Sequence, residues 1–302
     1  MARCASGTAI LTAASVAVAL LVGACSGTEN GPVIGTPAQA SMPIADVGSS
    51  LSLAGLQQQL ASQLNAIQQT ESDPGGAAFA AEVAALVNDQ ALLSSERIAQ
   101  LQQLGHNEVV TLEGDLSSLS GDVQSTAGLS LAESGAIEYV IRQVDAQLQS
   151  LDAKIAADTL VDVLRTDVLS VESSTRVEGL IAPVVHTALG ADSLLVAANV
   201  LSTQATNLGQ TIQANVGVNQ ATEEQILGNL QADINSMKST GSSIAARALA
   251  LSPSGYPGNQ GELSSLKAQL GDSASLPTSG HGDVTSISNC LNDDQTSQAC
   301  SP

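Results

Sequence analysis

The side chains best suited to nucleophilic or metal chemistry in this chain are four cysteines (Cys4, Cys25, Cys290, Cys300) and three histidines (His106, His186, His281). A thiolate can attack, ligate a metal or pair with another thiol. A tetrahedral zinc site needs three or four such ligands, yet no histidine or third cysteine lies within Asn289 to Pro302 to join Cys290 and Cys300. The histidines stand singly, outside any His-Glu-x-x-His helix, and are expected in capping or surface roles: His106 after a helix end, His186 after Pro183. No Gly-x-Ser-x-Gly elbow, phosphate loop, dinucleotide fingerprint or calcium loop occurs. Glu223 and Glu224 are neighbours on a predicted helix and point apart, which rules them out as an acid–base dyad. Asp293 and Asp294 read as a solvated acidic stretch. The expectation is a chain with no catalytic residue, no cofactor and no metal, and hence not an enzyme.

Cys25 is different because of what precedes it. Arg3 is the only charged side chain before Glu29, and residues Ala9 to Ala24 form an apolar run that ends Leu21-Val22-Gly23-Ala24-Cys25. A basic start, an apolar stretch and small residues before a cut site make an export leader. The segment resembles the lipobox of bacterial lipoproteins: an aliphatic residue, two small ones, then cysteine. That resemblance covers the leader alone. It implies removal of residues 1–24, lipidation of Cys25, and a membrane held through acyl chains at roughly 0.8 kcal/mol per buried methylene. Cys4 would leave with the leader and Cys25 would be spent on lipid. The remaining pair, Cys290 and Cys300, is then expected to form a disulfide outside the cytoplasm, contributing roughly 2 to 3 kcal/mol. Residues 25–50, rich in Gly, Pro and Ser, read as a flexible tether.

Charge and composition exclude several partners. Nine Lys and Arg face 29 Asp and Glu, for a formal net charge of −20, so a phosphate backbone would be repelled and nucleic acid is not expected. Only Phe79, Tyr139 and Tyr256 are aromatic, although 43% of residues are hydrophobic. A core of Leu, Ile, Val and Ala suits narrow helix–helix seams better than a ring-lined ligand pocket.

The elements that must carry these residues follow from apolar spacing. Residues 51–252 place apolar side chains three and four apart, the period of helices with one buried stripe. Leu53 to Ile67 forms the first stripe; Phe79 to Leu104 the second, with Gly105 expected as its cap; Val109 to Val123 the third. Ser130 and Glu133 predict a capping box, and Ile137, Ile141, Val144, Leu148, Leu151 and Ile155 follow as the strongest coiled-coil stretch. A phase slip leads to a bend at Pro183, a new stripe begins after Gly190, and Thr222 with Gln225 predicts another cap. The expected fold is an all-α, elongated bundle of about five long helices. Residues 253–302, rich in Ser, Gly and Pro, are expected to form a poorly ordered tail with a disulfide loop and one short helix around Glu262 to Leu270.

Address and architecture together imply a non-catalytic, lipid-anchored protein of the bacterial envelope, outside the cytoplasm. Its helical rod would bind another envelope protein or act as a spacer, and the Ile137–Ile155 stripe offers a route to a homo-oligomer. A second reading rests on Gln204 to Met237, whose Gln- and Asn-rich helix is similar in composition to the minor-pilin subunits of type IV secretion systems, which would make the chain part of a secretion or conjugation machine. A third, a membrane-inserting helical toxin, ranks last, because no apolar run outside the leader is expected to approach ~18 residues.

Overall fold

Most of the described helices carry one narrow apolar stripe that another helix must cover. The computed structural model describes residues 52–71, 75–215, 217–251, 255, 258–296 and 300. Cys25, the leader over 1–24 and the tether over 25–50 lie outside them. Among the described residues the regular structure is entirely helical: α1 (Leu53–Glu71), α2 (Gly75–Asn88), α3 (Ser94–Ser125), α4 (Leu131–Ala157), α5 (Val161–Thr175), a π-helical turn (Val177–Ile181), α6 (Ala182–Ala214), α7 (Gln220–Leu249), α8 (Gln260–Ser273) and α9 (Leu276–Thr296). The expected all-helical bundle is observed; among the described residues it has nine α-helices, of which four (α3, α4, α6 and α7) are 27 residues or longer, where about five long ones were expected.

Two cores share one helix. The first gathers Phe79 and Val83 of α2, the stripe Leu101 to Val123 of α3, the stripe Ile137 to Ile155 of α4, and Leu164, Val168 and Val171 of α5. The second gathers α1, α7, α8 and α9 around Leu194, Leu201, Leu208 and Ile212 of α6. The N-terminal half of α6 serves both: Val185 and Leu189 face the first core, Val184 and Ala191 the second. Every residue from Leu180 to Leu194 is consequently buried. This explains the composition of α6, in which Asp192 is the only charged residue from Gly179 to Thr222.

Local signals set several boundaries. Ser130 Oγ accepts from the Glu133 amide at 3.2 Å and Glu133 Oε2 accepts from the Ser130 amide at 2.8 Å, so the capping box opens α4 as expected. The Leu93 amide donates to Glu96 Oε2 at 2.9 Å at the start of α3. Gln102 Nε2 donates to the carbonyls of Ile155, Ala156 and Asp158 at 3.0 to 3.3 Å, satisfying acceptors that the end of α4 leaves open.

Other expectations are corrected. Gly105 caps nothing; it lies inside α3, where a Cβ would meet Val168 Cγ2 at 2.9 Å and Ile155 Cδ1 at 3.0 Å, so its lack of a side chain lets α4 and α5 approach. The second predicted helix is divided instead near Asp89, between α2 and α3. Gly190 does not start a new stripe, because α6 runs through it, with a Cβ there only 2.7 Å from Leu270 Cδ2 of α8. The chain turns before Pro183, at Arg176, whose left-handed backbone (φ 50°, ψ 42°) leads into the π-helical turn; Pro183 fits the first turn of α6, where its missing amide costs nothing. Asn219, not Thr222, stands at the head of α7. The short helix expected around Glu262 to Leu270 is present as α8, and α9 is a second packed helix where a loose tail was expected. Leu263, Leu266, Leu270, Ile287 and Cys290 bury a stripe against α6 and α7, and that packing overrides the weak helix propensity of the segment.

Candidate functional site

Three polar arrangements sit on these helices. The first is inside α6. His186 Nδ1 donates to Gln63 Oε1 of α1 at 2.7 Å, and burial holds the imidazole below its usual pKa against the opposing charge of Asp122. Ser193 Oγ donates to the Leu189 carbonyl and accepts from Gln59 Nε2 at 3.2 Å, while Thr187 Oγ1 donates to the Pro183 carbonyl. Both hydroxyls are thus bound to their own helix, and neither is held by a base. Asp192 is pushed up to about 7 by burial and by the charge of Glu133.

The second arrangement brackets α5. Burial and a carboxyl–carboxyl pair with Glu108 of α3 push Glu172 up to about 8, with Asp115 adding to the rise and Arg176 opposing it. Asp158, between α4 and α5, is raised by its hydrogen-bonded pairing with Asp167. Like charges this close share a proton rather than both ionising.

The third is the Cys290–Cys300 disulfide, with its Cα atoms 5.1 Å apart. The Cys300 amide donates to Asn219 Oδ1 at 2.9 Å and Asn219 Nδ2 donates to the Cys290 carbonyl at 3.4 Å. Asn219, buried at the head of α7, therefore fastens the disulfide loop to the α6–α7 turn, and makes no side-chain cap of its own helix.

The other sequence candidates stay apart. His106 lies mid-α3, with Nδ1 3.0 Å from Asp152 Oδ1, on an exposed face rather than at a helix end. His281 is exposed on α9. Glu223 is fully buried whereas Glu224 is exposed and accepts from Gln220, so the two carboxylates do point apart. Among the described residues, no three His, Cys, Asp or Glu gather as a metal would require.

Two shallow clefts are present. One of about 240 Å³ lies between α6 and α7, lined by Ser202, Thr206, Gln231, Asn235 and Lys238. One of about 270 Å³ lies by the α3–α4 turn, lined by Val123, Thr126, Leu129, Ser134 and Glu138. Both fall below the ~300 Å³ at which small-molecule sites usually begin.

Exposed large apolar side chains occur at several places, among them Leu131 (94% exposed) at the start of α4 and Val218 (70%) in the α6–α7 turn. Where α2 and α4 finish and α3 and α5 begin, Leu93 (67% exposed), Leu160 (66%) and Val163 (45%) face outward. One further sequence expectation is overturned. The helical run Val161–Ala214 contains an 18-residue window of mean hydropathy 1.6, enough by length and composition to cross a membrane, and 89% of that window is buried. The near absence of charge after Gly179 was the signal for it, and the two isolated groups His186 and Asp192 obscured it.

Comparison with protein-family models, with curated proteins and with solved structures returned no match.

Proposed function

We propose that this is a non-catalytic, lipid-anchored protein of the bacterial envelope, whose helical body stands off the membrane and contacts another envelope protein through the end bearing Leu93, Leu160 and Val163. The three aliphatic side chains that fall at neighbouring helix ends carry the reading, since the stripes of α3, α4 and α7 are spent inside the chain and an uncovered group of aliphatic side chains costs solvation. The lipobox-like segment at Leu21–Cys25 supports the anchor, and the charge of −20 supports a soluble, extracytoplasmic body. The coiled-coil-like order of Ile137 to Ile155 supports a stiff rod. Because that stripe is buried within the chain, a homo-oligomer would use the end bearing Leu93 instead.

The test is in-cell photo-cross-linking with probes at Leu93 and Leu160, with a control at exposed Gln213, followed by mass spectrometry of the Cys25 peptide. An acylated Cys25 and one recurrent protein captured from Leu93 and Leu160, but not from Gln213, is the expected result. An unmodified Cys25 and no partner would overturn both anchor and contact.

A second reading, membrane insertion, has in its support only the length and low charge of the run Val161–Ala214, most of whose apolar window is buried. Dye release from liposomes by the full chain would support it. Retention of the dye would confine α6 to its role as the helix shared by two cores.

A further inference from the structure

We propose that the α3–α4 turn is a docking site for a basic segment of another protein, which places an aliphatic side chain in the cleft beside Leu131 and its Lys or Arg side chains against Glu133 and Glu138. This surface lies at the opposite end of the α3–α4 hairpin from Leu93, roughly 48 Å away at ~1.5 Å per residue over the 32 residues of α3. It does not depend on the contact proposed there.

The first turn of α4 begins with a leucine that nothing covers. Leu131 is 94% exposed, more than any other large apolar side chain among the described residues. Four and eight residues along the same helix face stand Gly135, whose Cβ position meets nothing within 4 Å, and Tyr139, itself exposed. Three and seven residues along stand Ser134 and Glu138, which line the cleft of about 270 Å³ together with Val123 of α3 and Thr126 and Leu129 of the turn. Leu131 is therefore at the rim of that cleft. A leucine and a tyrosine flanking an open glycine, with a partly apolar recess beside them, form a continuous surface rather than single scattered side chains.

The recess is shaped before any partner arrives. Ser120 Oγ donates to Glu138 Oε1 at 2.7 Å, Thr126 Oγ1 donates to the Asp122 carbonyl at 2.7 Å, and the Ser130–Glu133 capping box fixes the start of α4. Gly128, at φ 88°, makes the turn between the two helices. Walls already in place lower the ordering cost of a contact.

Charge selects the occupant. No Lys or Arg occurs between Arg97 and Arg142, and Asp122, Glu133 and Glu138 fall at the turn, with Arg142 one helical turn beyond Glu138. At the Leu93 end, by contrast, Arg97, Lys154 and Arg165 stand among the acids. A second copy of the chain would bring the same carboxylates together, and anionic lipid heads would be repelled. Complementarity leaves a basic partner, and the recess decides where on an acidic surface it settles.

Amide NMR of the isotope-labelled full chain, titrated with synthetic helical peptides of equal length, tests this. One peptide is built of Lys and Leu, one of Lys and Ser, one of Glu and Leu. The Lys/Leu peptide should shift the amides of residues 123–139 and few others. Leu131→Ser should weaken its binding at least about fivefold, and Glu138→Gln should weaken it and reduce its dependence on salt, while Leu93→Ser leaves it unchanged. Equal binding of the Lys/Ser peptide would overturn the site, reducing it to diffuse charge attraction. Equal binding of the Glu/Leu peptide would overturn the charge selection. Shifts over 123–139 on concentrating the chain alone would assign the surface to a second copy, and shifts caused by phosphatidylglycerol vesicles would assign it to a membrane; either result would overturn the proposal.

Discussion

At the scale of single residues, what a glycine lacks decides how closely two helices cross. A Cβ on Gly241 of α7 would sit 2.9 Å from the Ala191 carbonyl oxygen and 2.9 Å from Leu195 Cγ, and the first of these is backbone that cannot turn away. Gly228, on the same helix, has nothing within 4 Å of that position. Overpacking costs roughly 1–3 kcal/mol, against up to ~1 kcal/mol returned by replacing a helical glycine. Gly241→Ala should therefore destabilise by about 1–2 kcal/mol and Gly228→Ala should stabilise by about 0.5–1 kcal/mol in urea denaturation. Equal effects would mean that the α6–α7 crossing is looser than described. Asp192 is governed by charge instead. The folded chain keeps its proton up to about pH 7, whereas the unfolded chain releases it near 3.8, so stability falls as pH rises through that interval. Asp192→Asn removes the charge that the core resists. It should raise stability by about 1–2 kcal/mol at pH 8 and leave it nearly unchanged at pH 4, as read by thermal melts. An equal gain at both values would assign the effect to packing.

At the scale of elements, helix starts separate what sequence conveys from what packing adds. Ser130→Ala breaks the reciprocal bonds with Glu133 and should cost about 1 kcal/mol by chemical denaturation, whereas Thr222→Ala should cost little, because Thr222 lies inside α7 rather than at its head. A comparable loss at Thr222 would restore it as a cap. The stripe of α4 was legible because its apolar period, its cap and its length agree. The continuity of α6 was not, since Gly190 reads as a break in one dimension and as a seat for Leu270 in three. The helix α8 was legible from its Leu263, Leu266 and Leu270 spacing, whereas α9 was hidden for the converse reason: its apolar spacing was present, but Gly, Ser and Asn outweighed it until the surface of α6 and α7 was available. The disulfide partners could be paired from sequence, yet Asn219, which fastens them, could not. Its partners lie 71 and 81 residues away, and only the folded path of α7 to α9 brings them together. The grouping of Leu93, Leu160 and Val163 is likewise a product of topology, since Leu93 precedes α3, Leu160 precedes α5 and Val163 lies in the first turn of α5.

At the scale of the whole molecule, the charge of −20 and the placement of its acids act together on the pH dependence of the fold. Glu172 is raised to about 8, chiefly by burial and by Glu108; Asp192 to about 7 by burial and Glu133; Asp158 upward by its pairing with Asp167; Asp283 upward by burial and Asp233. Each group binds its proton more tightly folded than unfolded. Between their ordinary values near 4 and their folded values, the native state therefore holds more protons, and stability declines as pH rises across that window. His186 works the other way. Its folded pKa lies below the ordinary 6.5, so the unfolded chain takes up its proton first and stability declines as pH falls below that value. Four carboxyl groups outweigh one imidazole. The melting temperature should thus be highest in mildly acidic buffer, near pH 5, and should drop by several degrees toward pH 8. Added salt should recover part of the drop at pH 8 by screening the exposed acids, and should do little at pH 5. Glu172→Gln, which keeps the shape of the protonated side chain, should flatten the curve most between pH 6 and 8, because that is where the largest of these shifts exerts its cost. A melting temperature that rises steadily from pH 5 to 8 would show that the acid pairs around α5 are separated in solution, and that His186 dominates the balance instead.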